Sequence, residues 1–417
     1  MKTEEDQPTQ PQTLQDRLRA FCEARSPFLL VFIPLALIYI TTASYGLGYH
    51  IDAFTNAVTG WHIGMTGSVV LPDYEEATRP EQVGNIAWIV ESPRGPVSQY
   101  PPGAALLSAP LYRLWNQPLS PAVIGGFNNP DAEPIPLGFP SLTPATLAAA
   151  LASAAAMGLV AATIPYAGGS RYQAVIAGYV GGLATTIWAV ASDALWQHGP
   201  ASMWIALAIF LVARSHLAWA GVAFGAAILT RPHLALVAAA LGLFLIFTRR
   251  SIVPALKIGA GSFLGLSVLL WYNWWLWGKP TVTGGYGDGR IDQVLSTNFG
   301  AYIQNILGAV LDPIHGLLPY SPFLLILIPG LPKAWKNSPD WAKGAGIGGI
   351  VYLLVQLKAN RFSGGEGFVG YRYPLEALTA AAVILFISYQ QWVSRRRMVK
   401  WLFWVGVVIA MTLQVVV

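Results

Sequence analysis

Cysteine is almost absent from this chain. Cys22 is the only one in 417 residues, so no intrachain disulfide can form and any extracytoplasmic part must be held by packing. Charge is equally scarce: Asp, Glu, Lys and Arg make up 11% of the residues, where a soluble domain carries roughly 25%. With 54% hydrophobic residues and a mean hydropathy of +0.50, this balance excludes an ordinary soluble domain and points to an integral membrane protein. The net charge of +5 does not indicate nucleic acid, because the cations fall in short clusters between apolar runs, the pattern of a topology signal. A signal peptide's short basic head and cleavage site are missing. Residues 1–27 instead carry both signs of charge and read as a cytoplasmic tail, with an amphipathic piece from Leu14 to Ala24 suited to the bilayer surface. Also missing are Asn-x-Ser/Thr sequons, a phosphate-binding Gly loop with its Lys-Ser/Thr, and histidines four apart on a helix for a metal. No internal repeat suggests a transporter built from two related halves.

What is abundant is apolar sequence. A hydrocarbon core of roughly 30 Å needs about 20 apolar residues of helix. About eleven runs approach that length, at 28–47, 144–165, 174–192, 200–213, 217–230, 232–247, 252–277, 321–331, 345–357, 375–392 and 401–417. The fold expected is all-α: a polytopic membrane domain over 28–417 with a large first extracytoplasmic loop, 48–142, and a second over 278–320. If the runs alternate, Arg17, Arg19 and Arg25, then Arg171, Arg214, Arg249-Arg250, Lys333 with Lys336, and Arg395-Arg396-Arg397 with Lys400 all fall on the cytoplasmic side. Within the first loop, 53–67 and 103–115 have the apolar spacing of interfacial helices, the second introduced by Pro101-Pro102.

The same orientation collects outside the membrane Asp52 with His50, Asn56 and His62, the segment Asp193 to His198, Arg231, the second loop, and the stretch from Lys358 to Arg372. Asp52 is the acid nearest the first span. An aspartate there also caps helices, since its carboxylate accepts from free backbone N–H groups. An arginine at membrane depth is costly unless it meets an anion, so Arg231 and Arg372 are candidate phosphate ligands, with Lys358 and Arg361 behind them. The alternatives are snorkelling or pairing with an acid such as Glu366 or Glu376. His198 is a further ligand candidate or a cap of the next span. Tyr100, Trp61, Trp88, Tyr320 and Tyr371 are candidate sugar-stacking aromatics, although the interfacial belt of a membrane protein uses the same residues. The Gly284 to Gly289 segment reads as a flap rather than a nucleotide loop. The outer histidines, His50, His62, His198 and His315, match no compact ligand spacing, so no metal site is assigned.

Taken in order, several short motifs resemble the GT-C glycosyltransferases that use a polyprenyl-phosphate sugar, the superfamily of protein O-mannosyltransferase-like and aminoarabinose transferase-like enzymes. They are the acid soon after the first span; Gln99-Tyr100-Pro101-Pro102-Gly103; Leu195-Trp196-Gln197-His198-Gly199-Pro200; Leu229-Thr230-Arg231-Pro232; Trp271-Tyr272-Asn273; Asp312-Pro313 with Gly316 to Pro322; and Gly370-Tyr371-Arg372-Tyr373. The resemblance spans Asp52 to Glu376. It implies an inverting transferase that moves a sugar from a polyprenyl-phosphate monosaccharide to a hydroxyl of a cell-envelope glycan, lipid or protein at the outer face of the plasma membrane. Asp52 would be the base, Arg231, Arg372, His198, Lys358 and Arg361 would face the donor phosphate, and His50, Asn56, His62, Tyr100, Tyr320 and Tyr371 would line the substrates. No cofactor is required on this reading, a divalent metal is not favoured, and a mannosyl- or arabinosyltransferase of the cell envelope is the expected type. The chain departs from the pattern in having one acid after the first span where a pair is usual, with His50 two residues before it. Asp193, Asp312 and Glu366 are the distant candidates for a second. A polytopic transporter or lipid-carrier flippase is the alternative, and a membrane scaffold with a degenerate site is a third reading.

Overall fold

The computed structural model describes residues 13–45, 50–126, 129, 131–365 and 368–416. Among these the chain is mostly helical, with two separate two-stranded ribbons as the only sheets, so the all-α expectation holds. The helix α1 (Leu14–Glu23) is held at its start by a reciprocal bond pair between Thr13 and Asp16 and turns 106° away from α2 (Pro27–Thr42).

The first loop builds a module of its own. It contains α3 (Ile51–Thr66), α4 (Gly103–Trp115) and the antiparallel ribbons β1 (Ile89–Ser92) with β2 (Gly95–Ser98), and β3 (Ser120–Ile124) with β4 (Ile135–Phe139). The two helices match the segments anticipated as interfacial. The ribbons were not anticipated, because their short strands carry Pro and Gly instead of a clean alternation. Phe54, Val58, Leu71, Tyr74, Ile86 and Ile89 form a closed core between α3 and the ribbons, each large side chain contributing about 1.5–3 kcal/mol when fully buried. The Tyr74 hydroxyl donates to the Gly138 carbonyl and ties the second ribbon to this core.

The bundle follows with α5 (Thr143–Thr163), α6 (Arg171–Leu183), α7 (His198–Ala213), α8 (Leu217–Thr230), α9 (Ala235–Arg249) and α10 (Val253–Trp277). The second loop is helical rather than extended, with α11 (Arg290–Ser296), α12 (Phe299–Leu311) and α13 (Leu317–Tyr320). The short helices α14 (Phe323–Leu327) and α15 (Leu331–Asn337) lead to α16 (Asp340–Ala359), α17 (Pro374–Ser388) and α18 (Arg397–Val416). Every apolar run anticipated as a span contains helix. Where about eleven spans were expected, four helices among the described residues are by themselves long and apolar enough to cross a membrane, or five if the bent pair α1 and α2 counts as one. The helices α7, α8 and α12 are apolar but shorter, and α16 carries Asp340, Lys343 and Lys358 near its ends.

Two packing devices fix the site's framework. Helices α8 and α10 cross at Gly221, Gly225, Gly261 and Gly265, where an added Cβ would overlap the facing backbone. Small residues at such crossings let apolar helices approach without a hydrophobic driving force between them. The basic clusters also share an end of the bundle. Arg249 Nε donates to Asp340 at 2.6 Å, joining the end of α9 to the start of α16, and Glu23 accepts from the backbone of Arg171 and Tyr172, joining α1 to α6. In α7, Arg214 closes the end opposite His198, about 24 Å along the axis at 1.5 Å per residue.

Candidate functional site

Asp52 sits in the first turn of α3, whose N-cap is His50 and shows no side-chain capping bond. Its carboxylate therefore does not cap; it faces across the module. Oδ1 accepts the indole N–H of Trp88 at 2.9 Å and Oδ2 accepts Nη1 of Arg372 at 2.7 Å. The helix start favours a negative charge there, and each carboxylate oxygen keeps a second acceptor direction. Asp52 is 23% exposed at its side chain while Arg372 is 6% exposed, so the anion is the accessible member of the pair.

Local structure explains this placement. One turn after Asp52, Thr55 Oγ1 accepts the Trp88 backbone N–H at 2.8 Å, and the Trp88 carbonyl accepts the Gln99 N–H at 2.8 Å. The open end of the β1–β2 hairpin is thereby fastened to the α3 face that carries Asp52, with Trp88 on one side and Gln99-Tyr100 on the other. The Tyr100 hydroxyl faces Asp52. Burial first, and then that carboxylate, hold its pKa well above the ordinary phenol value, so it stays a donor. The Gly-rich segment packs on this loop: a Cβ on Gly285 would lie 2.6 Å from Gln99 Cα, and the Tyr286 ring stands 6.1 Å from that of Tyr100.

Arg372 is framed by aromatic rings, with Trp196 at 4.5 Å, Phe368 at 5.0 Å and Tyr373 at 5.4 Å from its guanidinium carbon. Gly364, at φ +73°, lies against the guanidinium where a Cβ would meet Nε at 2.5 Å. His50 stacks at a tilt on Trp196, 4.9 Å between centroids, and burial lowers its pKa against the pull of Asp193. Asn56 donates to the Leu195 carbonyl at 2.9 Å, fixing α3 to the segment that presents Trp196.

A second polar layer lies on the other side of Tyr373, whose ring is 5.8 Å from the Arg231 guanidinium. Arg231 is the extended residue between α8 and Pro232. Its Nη1 is 2.9 Å from the His198 ring nitrogens and 3.4 Å from Glu376 Oε1, and its Nη2 donates to Gln356 Oε1 at 2.9 Å. His198 Nδ1 is 2.8 Å from Glu376 Oε1. A proton on Nδ1 directed at the carboxylate leaves Nε2 to accept from Arg231. Glu376 occupies the first turn of α17, again a position that favours an anion. His233 stacks on Tyr352 at 5.0 Å and 4° beneath Arg231. The buried Nε atoms of Arg231 and Arg372 make no hydrogen bond among the described residues.

Asp52, Arg372, Tyr100, His50, Asn56, Arg231 and His198 thus converge on one polar region. The other candidates do not. His62 is ten residues beyond Asp52 along α3, about 15 Å at 1.5 Å per residue, and stands 3.6 Å from Asp73. Tyr371 is fully buried with its hydroxyl 2.8 Å from Ser321 Oγ, and Tyr320 packs in the same apolar core. Lys358 lies in the last turn of α16 with its carbonyl accepting from Thr297, and Arg361 is exposed. Of the second-acid candidates, Asp193 anchors the end of α2 through Ser44, Asp312 accepts the backbone N–H groups of Ile314 and His315, and Glu366 lies outside the described residues. The acid that joins the region is Glu376, considered from sequence only as an ion-pair partner. Its signal was available: it is the sole acid in an otherwise apolar run. Gln356, His233, Tyr352 and Tyr373 carried no comparable signal. Among the described residues no group of three or more His, Cys, Asp or Glu side chains converges as a metal site would.

Compared with known proteins, the sequence matches no family model, and no curated protein matches it significantly.

Proposed function

We propose that this chain is an inverting membrane glycosyltransferase that uses a polyprenyl-phosphate monosaccharide and acts at the outer face of the plasma membrane. The observation that carries this reading is the partly accessible carboxylate of Asp52, fixed between Trp88 and the buried Arg372 at the junction of the outer module and the bundle. A neutral hydroxyl is a weak nucleophile, and a carboxylate can take its proton as it attacks. The acceptor oxygen bonds to the anomeric carbon, the bond from that carbon to the phosphate oxygen breaks, and the lipid phosphate leaves with the electron pair. One displacement inverts the anomeric configuration. Arg372 supplies the cation for the leaving phosphate, and Arg231 stands behind it as the next positive charge. The phosphate competes with Asp52 for the Arg372 guanidinium, so donor binding loosens the base at the moment it is needed.

The acceptor class is a hydroxyl of a cell-envelope glycan, lipid or protein, with a mannosyl or arabinosyl unit as the expected cargo. The finer topology belongs to the same proposal: eleven crossings in which the shorter helices pass beside the long ones, a cytoplasmic N-terminus and the Asp52 region outside. No metal has a role in the scheme.

One observation favours a second reading. A histidine, a glutamate and an arginine buried together among apolar helices also form the kind of relay used by transporters and flippases. Purified protein in vesicles, given labelled polyprenyl-phosphate sugars and candidate acceptors, separates the two. Formation of an inverted glycoside supports the transferase. Substrate counterflow without product supports the transporter and removes the transferase.

A further inference from the structure

A cavity of about 550 Å³ lies outside the Asp52 region, between α5, α6, α14, α17 and α18, with α1 beside its mouth. Ligand pockets commonly measure about 300–1,000 Å³. Its walls along α17 run from Leu375 to Phe386, a depth of about 16 Å at 1.5 Å per residue. That is about half of a roughly 30 Å hydrocarbon core, the depth of one leaflet. Most wall side chains are apolar, including Val180, Leu324, Leu378 and Phe403, with Thr185 and Thr379 among them.

The composition changes at the mouth. Arg19 and Lys400 stand there with Ser170, Gln173 and Ser394, and both cations are exposed. Arg19 lies between two acids of its own helix that feel its charge but make their hydrogen bonds to other groups: Asp16 accepts from Thr13, and Glu23 accepts from the backbone N–H groups of Arg171 and Tyr172. Among the described residues neither cation has an ion-pair partner within 4.0 Å. The mouth also lies at the end of the bundle that bears Arg395, Arg396 and Arg397. A largely apolar shaft one leaflet deep under two exposed cations, neither held in an ion pair, is complementary to a single molecule with an anionic head and an apolar chain.

We infer that this cavity binds an anionic glycerophospholipid of the surrounding leaflet, with one acyl chain along α17 and its phosphate between Arg19 and Lys400. The occupant packs α1 and α18 onto the bundle, and its chain end reaches Leu375, next to Glu376. The site is independent of transferase activity and requires only that the protein is embedded in a bilayer.

Retained lipid is the readout. Protein reconstituted with an equimolar mixture of phosphatidylglycerol and phosphatidylcholine is exchanged into detergent, and bound lipid per chain is quantified by mass spectrometry. The wild type should retain about one phosphatidylglycerol and exclude phosphatidylcholine at least tenfold. Arg19→Glu with Lys400→Glu should abolish that preference, whereas Lys336→Glu, on an exposed cation outside the cavity, should leave it intact. Ala177→Phe, which fills the shaft, should remove the retained lipid from protein that still elutes as a single folded species. Equal retention of the two lipids by wild type, retention unchanged by Ala177→Phe, or a co-purifying polyprenyl phosphate in place of the phospholipid would each overturn the assignment.

Discussion

The buried layer formed by Arg231, His198 and Glu376 makes a quantitative prediction about stability. Glu376 has no exposure and Arg231 is 5% exposed, so neither charge can turn to water when its partner is lost. Arg231→Met removes the cation 3.4 Å from Glu376 Oε1, the donor to Gln356 at 2.9 Å and the donor to His198. Glu376→Leu removes the carboxylate and leaves the guanidinium buried. Breaking a buried pair by deleting one member costs about 3–5 kcal/mol, and each single variant should lose about that much. The double variant replaces both charges by apolar groups and should not lose the two costs together; the coupling between contacting residues of one network is about 0.5–3 kcal/mol, and the upper part of that range is expected here. Chemical denaturation in detergent, followed by circular dichroism on all four proteins of the cycle, reads these terms. Single losses below about 1 kcal/mol, or strictly additive losses, would refute the claim that the three side chains form one charge-balanced unit.

Three further outcomes follow from the geometry. Trp88→Phe keeps the ring but deletes the N–H held at 2.9 Å by Asp52; a hydrogen bond to a charged group contributes about 1.5–3 kcal/mol, and sugar transfer should fall about 10- to 100-fold with the thermal transition of the protein little changed. Gly285→Ala places a methyl 2.6 Å from Gln99 Cα and should displace the flap, lowering transfer while leaving helical content by circular dichroism intact. His62 has its pKa lowered, by burial first and against the opposing charge of Asp73. The folded protein therefore holds it neutral while the unfolded chain titrates near its ordinary value of about 6.5. Its contribution to stability is complete above that value and is lost as pH falls through it. The outer module should melt earlier at pH 5 than at pH 7.5, and His62→Gln should flatten that dependence.

Periodicity and composition made most of the architecture legible. The apolar runs are all helical, α1, α3 and α4 lie where amphipathic spacing placed them, and Arg231 and Arg372 are polar residues that the bundle brings inward. The pairing pattern was not legible. Asp52 and Arg372 are separated by 320 positions, and nothing local to either specifies that the hairpin end at Trp88 and Gln99 will carry them together. His62 was misplaced for a related reason: closeness to Asp52 along the chain becomes distance once both lie on one helix. Tyr320 and Tyr371 look like surface aromatics in a polar segment, yet both pack into the apolar core, where the Tyr371 hydroxyl pairs with Ser321. Crossing number was less legible than helix content, because short apolar runs predict helix more securely than they predict a helix long enough to span alone.

The central claim, that Asp52 is the base of a transfer reaction, is tested most directly by single-turnover sugar transfer with Asp52→Asn in folded protein that still binds the lipid-phosphate donor. General-base catalysis contributes about 10²- to 10⁴-fold, and loss of turnover in that range with donor binding retained is the predicted result; turnover within about twofold of wild type would contradict the account.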